Sequence, residues 1–85
     1  MSKTTIMALY VVLHEARKTL PVIEDFNKVD EAIKYVRKAY AAKTDYPRHC
    51  ALTKLRNALP DFSRETIANG LIGMVACTLD AYFKG

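Results

Sequence analysis

Eighty-five residues carry 13 Lys and Arg against 9 Asp and Glu, a formal charge of +4, with 51% hydrophobic residues, 3 glycines and 3 prolines. This is the composition of a folded globular domain and excludes a disordered or low-complexity chain, while a domain of this length buries only about 60 to 65% of its unfolded surface. Two cysteines, Cys50 and Cys77, are too few for a secreted disulfide framework, and the longest apolar run, Ile6 to Leu13, is too short to span a bilayer.

The N-terminal apolar stretch is followed by His14, Glu15, Ala16, Arg17 and Lys18 with no small-residue cleavage site, so the expectation is a cytoplasmic protein with no membrane insertion. Ser2 caps a first helix running to Leu20. Its buried stripe is Ile6, Leu9, Leu13, Ala16 and Leu20, and Pro21 stops it. Met7 and Val11 fall outside that stripe and form a second apolar strip beside His14 and Lys18.

A connector from Pro21 to Phe26 leads to Asn27, which is expected to cap a second helix from Lys28 to about Ala42. Val29, Ile33, Val36 and Tyr40 are its inward positions. Asp30, Lys34 and Lys38 are its solvated ones, with Asp30 four residues ahead of Lys34 in the favourable order. Asp45 and Pro47 open a third helix, since proline in the first turn forfeits no intrahelical bond. Ala51, Leu52, Leu55, Ala58 and Leu59 give it a core face, and Pro60 follows its end.

The fourth helix is the most informative, because from Arg64 to Phe83 it is apolar nearly all round. Ser63 is its expected cap. Ile67, Leu71, Met74, Val75 and Tyr82 gather on one side and Ile72, Leu79 and Phe83 on another, the first side being the expected core face. Thr66, Gly70, Gly73 and Cys77 place small residues three or four apart. Each interior glycine costs up to about 1 kcal/mol relative to alanine, so close packing against a neighbouring helix is the natural compensation. The fold predicted over residues 1–85 is therefore a single all-α domain, a four-helix bundle or orthogonal helical array with short connections.

Chemistry-bearing motifs are sparse. Arg48-His49-Cys50 places a thiol beside basic groups in a helix's first turn, but no carboxylate orients His49 and no oxyanion-forming loop accompanies it. No metal-ligand spacing and no phosphate loop occurs, so no catalytic, metal or cofactor residue is expected. Lys43, Arg48, Lys54, Arg56 and Arg64 against Asp45 and Asp61 put a basic excess in the third quarter of the chain.

Between Leu52 and Val75, a helix end, a short turn at Pro60 to Phe62 and the opening Ser63-Arg64-Glu65-Thr66-Ile67 resemble the helix-turn-helix superfamily. The resemblance implies a DNA-binding regulator using Ser63, Arg64 and Asn69, supported by Lys54 and Arg56, and acting as a dimer. The apolar continuation through Ile72, Ala76 and Leu79 departs from a major-groove helix and ranks a different expectation first. That expectation is a non-enzymatic regulatory or inhibitor-type protein, self-associating, that docks a protein partner through Met7, Val11, Ile72, Leu79 and Phe83.

Overall fold

A computed structural model describes residues 1–20 and 23–85, the side chains of Ile23 and Glu24 excepted. These residues form four α-helices: α1 (Lys3–Thr19), α2 (Ile23–Ala41), α3 (Asp45–Ala58) and α4 (Ile67–Lys84). The all-α bundle expected from the sequence is the architecture observed. Pro21, assigned the role of ending helix 1, and the start of the expected connector lie outside the described residues.

Helix α1 begins where the sequence places it, with Ser2 Oγ accepting the Thr5 amide at 3.2 Å. All five residues of its stripe, Ile6, Leu9, Leu13, Ala16 and Leu20, are buried. Helix α2 starts earlier than expected, at Ile23, so Asn27 is an exposed interior residue and not a cap. The reason is Phe26, which continues the period of Val29, Ile33 and Val36, packs against the core, and carries the Arg17 guanidinium 5.0 Å from its ring centre. Tyr40, expected inside, is exposed at the helix's end.

Cross-links give the helices their senses. Arg17 bonds Asp30 and Arg37 donates to the Tyr10 hydroxyl at 3.1 Å, so α1 and α2 run antiparallel. Arg48 reaches back across the α2–α3 turn and donates to the carbonyl oxygens of Ala42, at 2.7 Å, and Ala39, at 3.3 Å. It thereby satisfies acceptors that the end of α2 leaves open. Helix α2 packs broadly on α3 and α1, and α1 packs broadly on α4, whereas α3 meets α4 only along an edge. The common core is aliphatic, built around Ile6, Leu13, Val36, Leu52, Ile72 and Leu79.

Helix α4 departs furthest from its sequence reading. It starts at Ile67, one turn late, because Ser63 is used elsewhere: its amide and hydroxyl both bond the Asp61 carboxylate, at 3.1 and 2.8 Å. Thr66 is the cap, accepting the Asn69 amide at 3.1 Å and donating to the Asn69 side-chain oxygen at 2.6 Å. Asn69 in turn donates to the Asp61 carbonyl at 2.9 Å. This buried amide pins the rotation of α4. The face it turns inward is Ala68, Asn69, Ile72, Val75, Ala76 and Leu79, rotated by more than a quarter turn from the expected one, with Val75 common to both. A helix apolar all round has no unique inner face by periodicity; the small residues Ala68 and Ala76 and the anchored Asn69 decide it.

Candidate functional site

The rotation of α4 rewrites the expected docking set. Ile72 and Leu79 are 0% exposed and belong to the core, so they cannot belong to an accessible flank of the folded monomer. Met7 and Val11 are exposed, at 43% and 54%, as expected. Phe83 is exposed too, but it lies elsewhere. It packs edge-on to His49 and Tyr82 on the α3 side, where His49 Nδ1 and the Tyr82 hydroxyl lie 3.2 Å apart.

What replaces Ile72 and Leu79 is the outer face of α4, with Ile67 at 77% exposure and Met74 at 59%, together with Gly70, Cys77 and Ala81. No charged residue interrupts this stripe between Ile67 and Ala81, since Asp80 projects to the α3 side and bonds Arg56. Toward α1 the stripe descends into a furrow of about 190 Å³ between Ala8 and Val12 of α1 and Met74 and Thr78 of α4. The two interior glycines differ in their surroundings. A Cβ on Gly73 would meet the Phe62 ring at 3.4 Å, so that glycine has its close neighbour within the chain. A Cβ on Gly70 would meet nothing within 4 Å. Its helix-weakening cost is not compensated inside the monomer.

The residues assigned to DNA reading are not brought together. The linker 59–66 is an extended turn stapled by Asp61, not the short turn of a helix-turn-helix, and α3 and α4 touch only at an edge. Asn69 is buried and committed to Thr66 and Asp61, which removes it from any groove. Ser63 and Arg64 are exposed but sit in the linker, ahead of the helix that was to present them. Arg56 pairs with Asp80, Nε to carboxylate at 2.9 Å, and covers the Phe62 ring at 5.8 Å. Lys54 is exposed on α3 beside the α2–α3 furrow.

Two of the five cations of the third quarter are thus engaged within the fold, Arg48 on carbonyls and Arg56 on a carboxylate. Asp80 feels this pairing, and its carboxyl is held below its ordinary value of 3.8 chiefly by the Arg56 hydrogen bond. Asp61 is held low by its side-chain and backbone bonds from Ser63. In the Arg48-His49-Cys50 cluster the three side chains point to different tasks, since Arg48 caps α2, His49 pairs with Tyr82, and Cys50 lines the α2–α3 furrow. Both cysteines are free thiols.

The α4 outer face was missed, yet one signal for it was in the sequence. Thr66-Ile67-Ala68-Asn69 has a hydroxyl at the cap and a side-chain amide three residues later, a pairing akin to the capping box. Taking Thr66 as the cap in place of Ser63 commits Asn69 to the linker and turns Met74 outward. Among the described residues no helix is long and apolar enough to cross a membrane, and no group of three His, Cys, Asp or Glu is gathered to hold a metal ion. Compared with family models, curated proteins and solved structures, the chain matches none.

Proposed function

We propose that this protein is a non-enzymatic binding protein of regulatory or inhibitor type, and that it docks a protein helix on the outer face of α4 and the adjoining α1 furrow. The carrying observation is the uninterrupted uncharged stripe Ile67, Gly70, Met74, Cys77 and Ala81 beside the furrow lined by Ala8 and Val12. A second copy of the chain is the first occupant to test. Every copy carries its positive excess on the α1–α2 pair, and two copies meeting there would oppose like charges, whereas a charge-free seam carries no such penalty. Gly70 supports the same reading. Open space at a helical glycine lets a second α4 approach closely, which recovers the roughly 1 kcal/mol that glycine costs.

Sedimentation equilibrium over a wide concentration range is the test. The wild type is expected to dimerise, and Met74→Lys to be monomeric with unchanged helical circular dichroism, because Met74 already faces water in the monomer. Gly70→Ala should raise the thermal midpoint of the monomer while weakening the dimer, since the added methyl improves helix propensity and fills the space a partner needs. A wild type that stays monomeric at all concentrations and captures no apolar helical peptide would sink the proposal.

A further inference from the structure

The net charge has a location that composition conceals. Residues 1–14 and 32–44 contain Lys3, Lys34, Arg37, Lys38 and Lys43 and no Asp or Glu. The remainder of the chain holds the other eight Lys and Arg against all nine carboxylates, and so is slightly acidic. In the fold these two segments are antiparallel neighbours, the first half of α1 beside the second half of α2. The excess of the whole molecule thus sits at one end of one helix pair.

At that end the cations face tyrosines. Lys3 lies 5.0 Å from the centre of the Tyr40 ring, Arg37 lies 5.6 Å from that of Tyr10, and Lys34 and Lys38 lie 5.9 and 5.6 Å from that of Tyr35. Among the described residues none of these four cations bonds a carboxylate. Arg37, Tyr10, Tyr40 and Met7 line a cleft of about 300 Å³. Across the cationic ridge of α2, Tyr35 and Lys38 line a second hollow of about 420 Å³ against α3. Lys34 and Lys38 are one turn apart, about 6 Å along the axis.

We propose that this end of the α1–α2 pair is a binding site for single-stranded nucleic acid. Lys3, Lys34 and Lys38 neutralise the backbone, and Tyr10, Tyr40 and the Arg37 guanidinium offer flat surfaces on which a base stacks inside the cleft. The combination of a cationic ridge with aromatic hollows is what a strand with exposed bases recognises, because every base presents a π-face and every nucleotide a phosphate. A duplex hides its base faces, and a bilayer surface cannot enter a cleft. An acidic peptide would neutralise the lysines but would leave the tyrosines unused. This site is separate from the α4 face and owes nothing to the helix-turn-helix pattern.

The experiment is fluorescence anisotropy of a labelled oligothymidylate titrated with the full-length protein at several salt concentrations. Binding should weaken with salt at a log–log slope of about −0.7 for each phosphate neutralised, and Lys38→Gln should reduce the magnitude of that slope by about 0.7. Tyr40→Ala should weaken binding at least about fivefold, the lower end of what one stacked base contributes. Lys28→Gln removes the same charge at the opposite end of α2 and should change neither quantity. Lys38 and Lys28 are exposed, so both glutamine variants are expected to remain folded, and circular dichroism checks Tyr40→Ala. Absence of binding at low salt overturns the proposal. So does equal loss with Lys28→Gln, or tighter binding to polyglutamate, duplex DNA or phosphatidylserine vesicles than to the oligonucleotide. Met74→Lys should bind the oligonucleotide like the wild type, which keeps this result independent of the α4 reading.

Discussion

Helices α1 and α2 form a pair whose seam is charged and aromatic, whereas α3 and α4 share little more than an edge. Both pairs are cross-linked by arginine, but to different ends. In the second pair Arg56 is paired with Asp80 and Arg48 is held by backbone carbonyls, so these two arginines serve the fold. In the first pair Arg17 meets Asp30 and Lys18 meets Glu15, whereas Lys3, Lys34, Arg37 and Lys38 rest against tyrosine rings. A count of Lys and Arg along the chain treats the two alike. The difference lies in which cations already have a counter-charge, and that decides which end of the molecule attracts an anion.

The sharpest way to break the comparison is inside α4, where two substitutions five residues apart should behave oppositely. Leu79 is wholly buried against the common core, so Leu79→Ala should cost about 2 to 5 kcal/mol. Leu79→Lys buries an unpaired ammonium and should unfold a domain whose total stability is roughly 5 to 15 kcal/mol. Met74→Lys should leave the denaturant midpoint nearly unchanged. Urea unfolding followed by circular dichroism at a concentration where the chain is monomeric separates them, and equal effects would mean that α4 is rotated otherwise than described here.

The next effect in size belongs to Asn69. Its amide links Thr66 at the start of α4 to the Asp61 carbonyl in the linker. Asn69→Ala removes both bonds and strips the Asp61 carbonyl of its donor, a loss of about 1 to 3 kcal/mol. Because α4 is otherwise ambivalent about which side faces inward, this variant should also loosen the helix's rotation. Faster amide exchange at the first turn of α4, with α1 and α2 still protected, is the expected signature.

How far the sequence alone reaches follows from the same contrast. Helix α1 is legible to the residue, because Ser2 has no competitor as cap and Ile6, Leu9, Leu13, Ala16 and Leu20 make one stripe. The number of helices and the core of α3 are legible for the same reason. The start of α2 is not, since Asn27 is as good a cap by type as any residue in the connector, and only the packing of Phe26 against the core carries the helix past it. The inner face of α4 is invisible to periodicity when both sides are apolar, and the two interfacial positions Ile72 and Leu79 were placed outside on that account. The cationic end escapes a linear reading altogether, because Lys3 and Arg37 lie far apart in the chain and only antiparallel packing makes them neighbours.

The smallest predicted effect tests the pairing of Arg56 with Asp80. The Arg56 hydrogen bond holds the Asp80 carboxyl below its ordinary value of 3.8 in the folded state. A carboxyl whose folded pKa is depressed contributes stability that is fully present above the unfolded pKa and is lost as pH falls through the folded one. The loss from Asp80 therefore falls below about pH 4, in the same window as that from Asp61, whose carboxyl is lowered by Ser63. Asp80→Asn should remove one of these two contributions, so the thermal midpoint of the variant should fall less steeply than the wild type's as pH is lowered from about 4. Arg56→Gln should flatten the profile in the same way, because it removes the cause of the depression without touching the carboxyl. The Arg56 side chain is one-third exposed and that of Asp80 more than half, and salt should shrink the difference between variants and wild type. If the profiles of wild type, Asp80→Asn and Arg56→Gln superimpose at low ionic strength, Arg56 is not bound to Asp80 in solution, and it must then be counted with the available cations of the α1–α2 end.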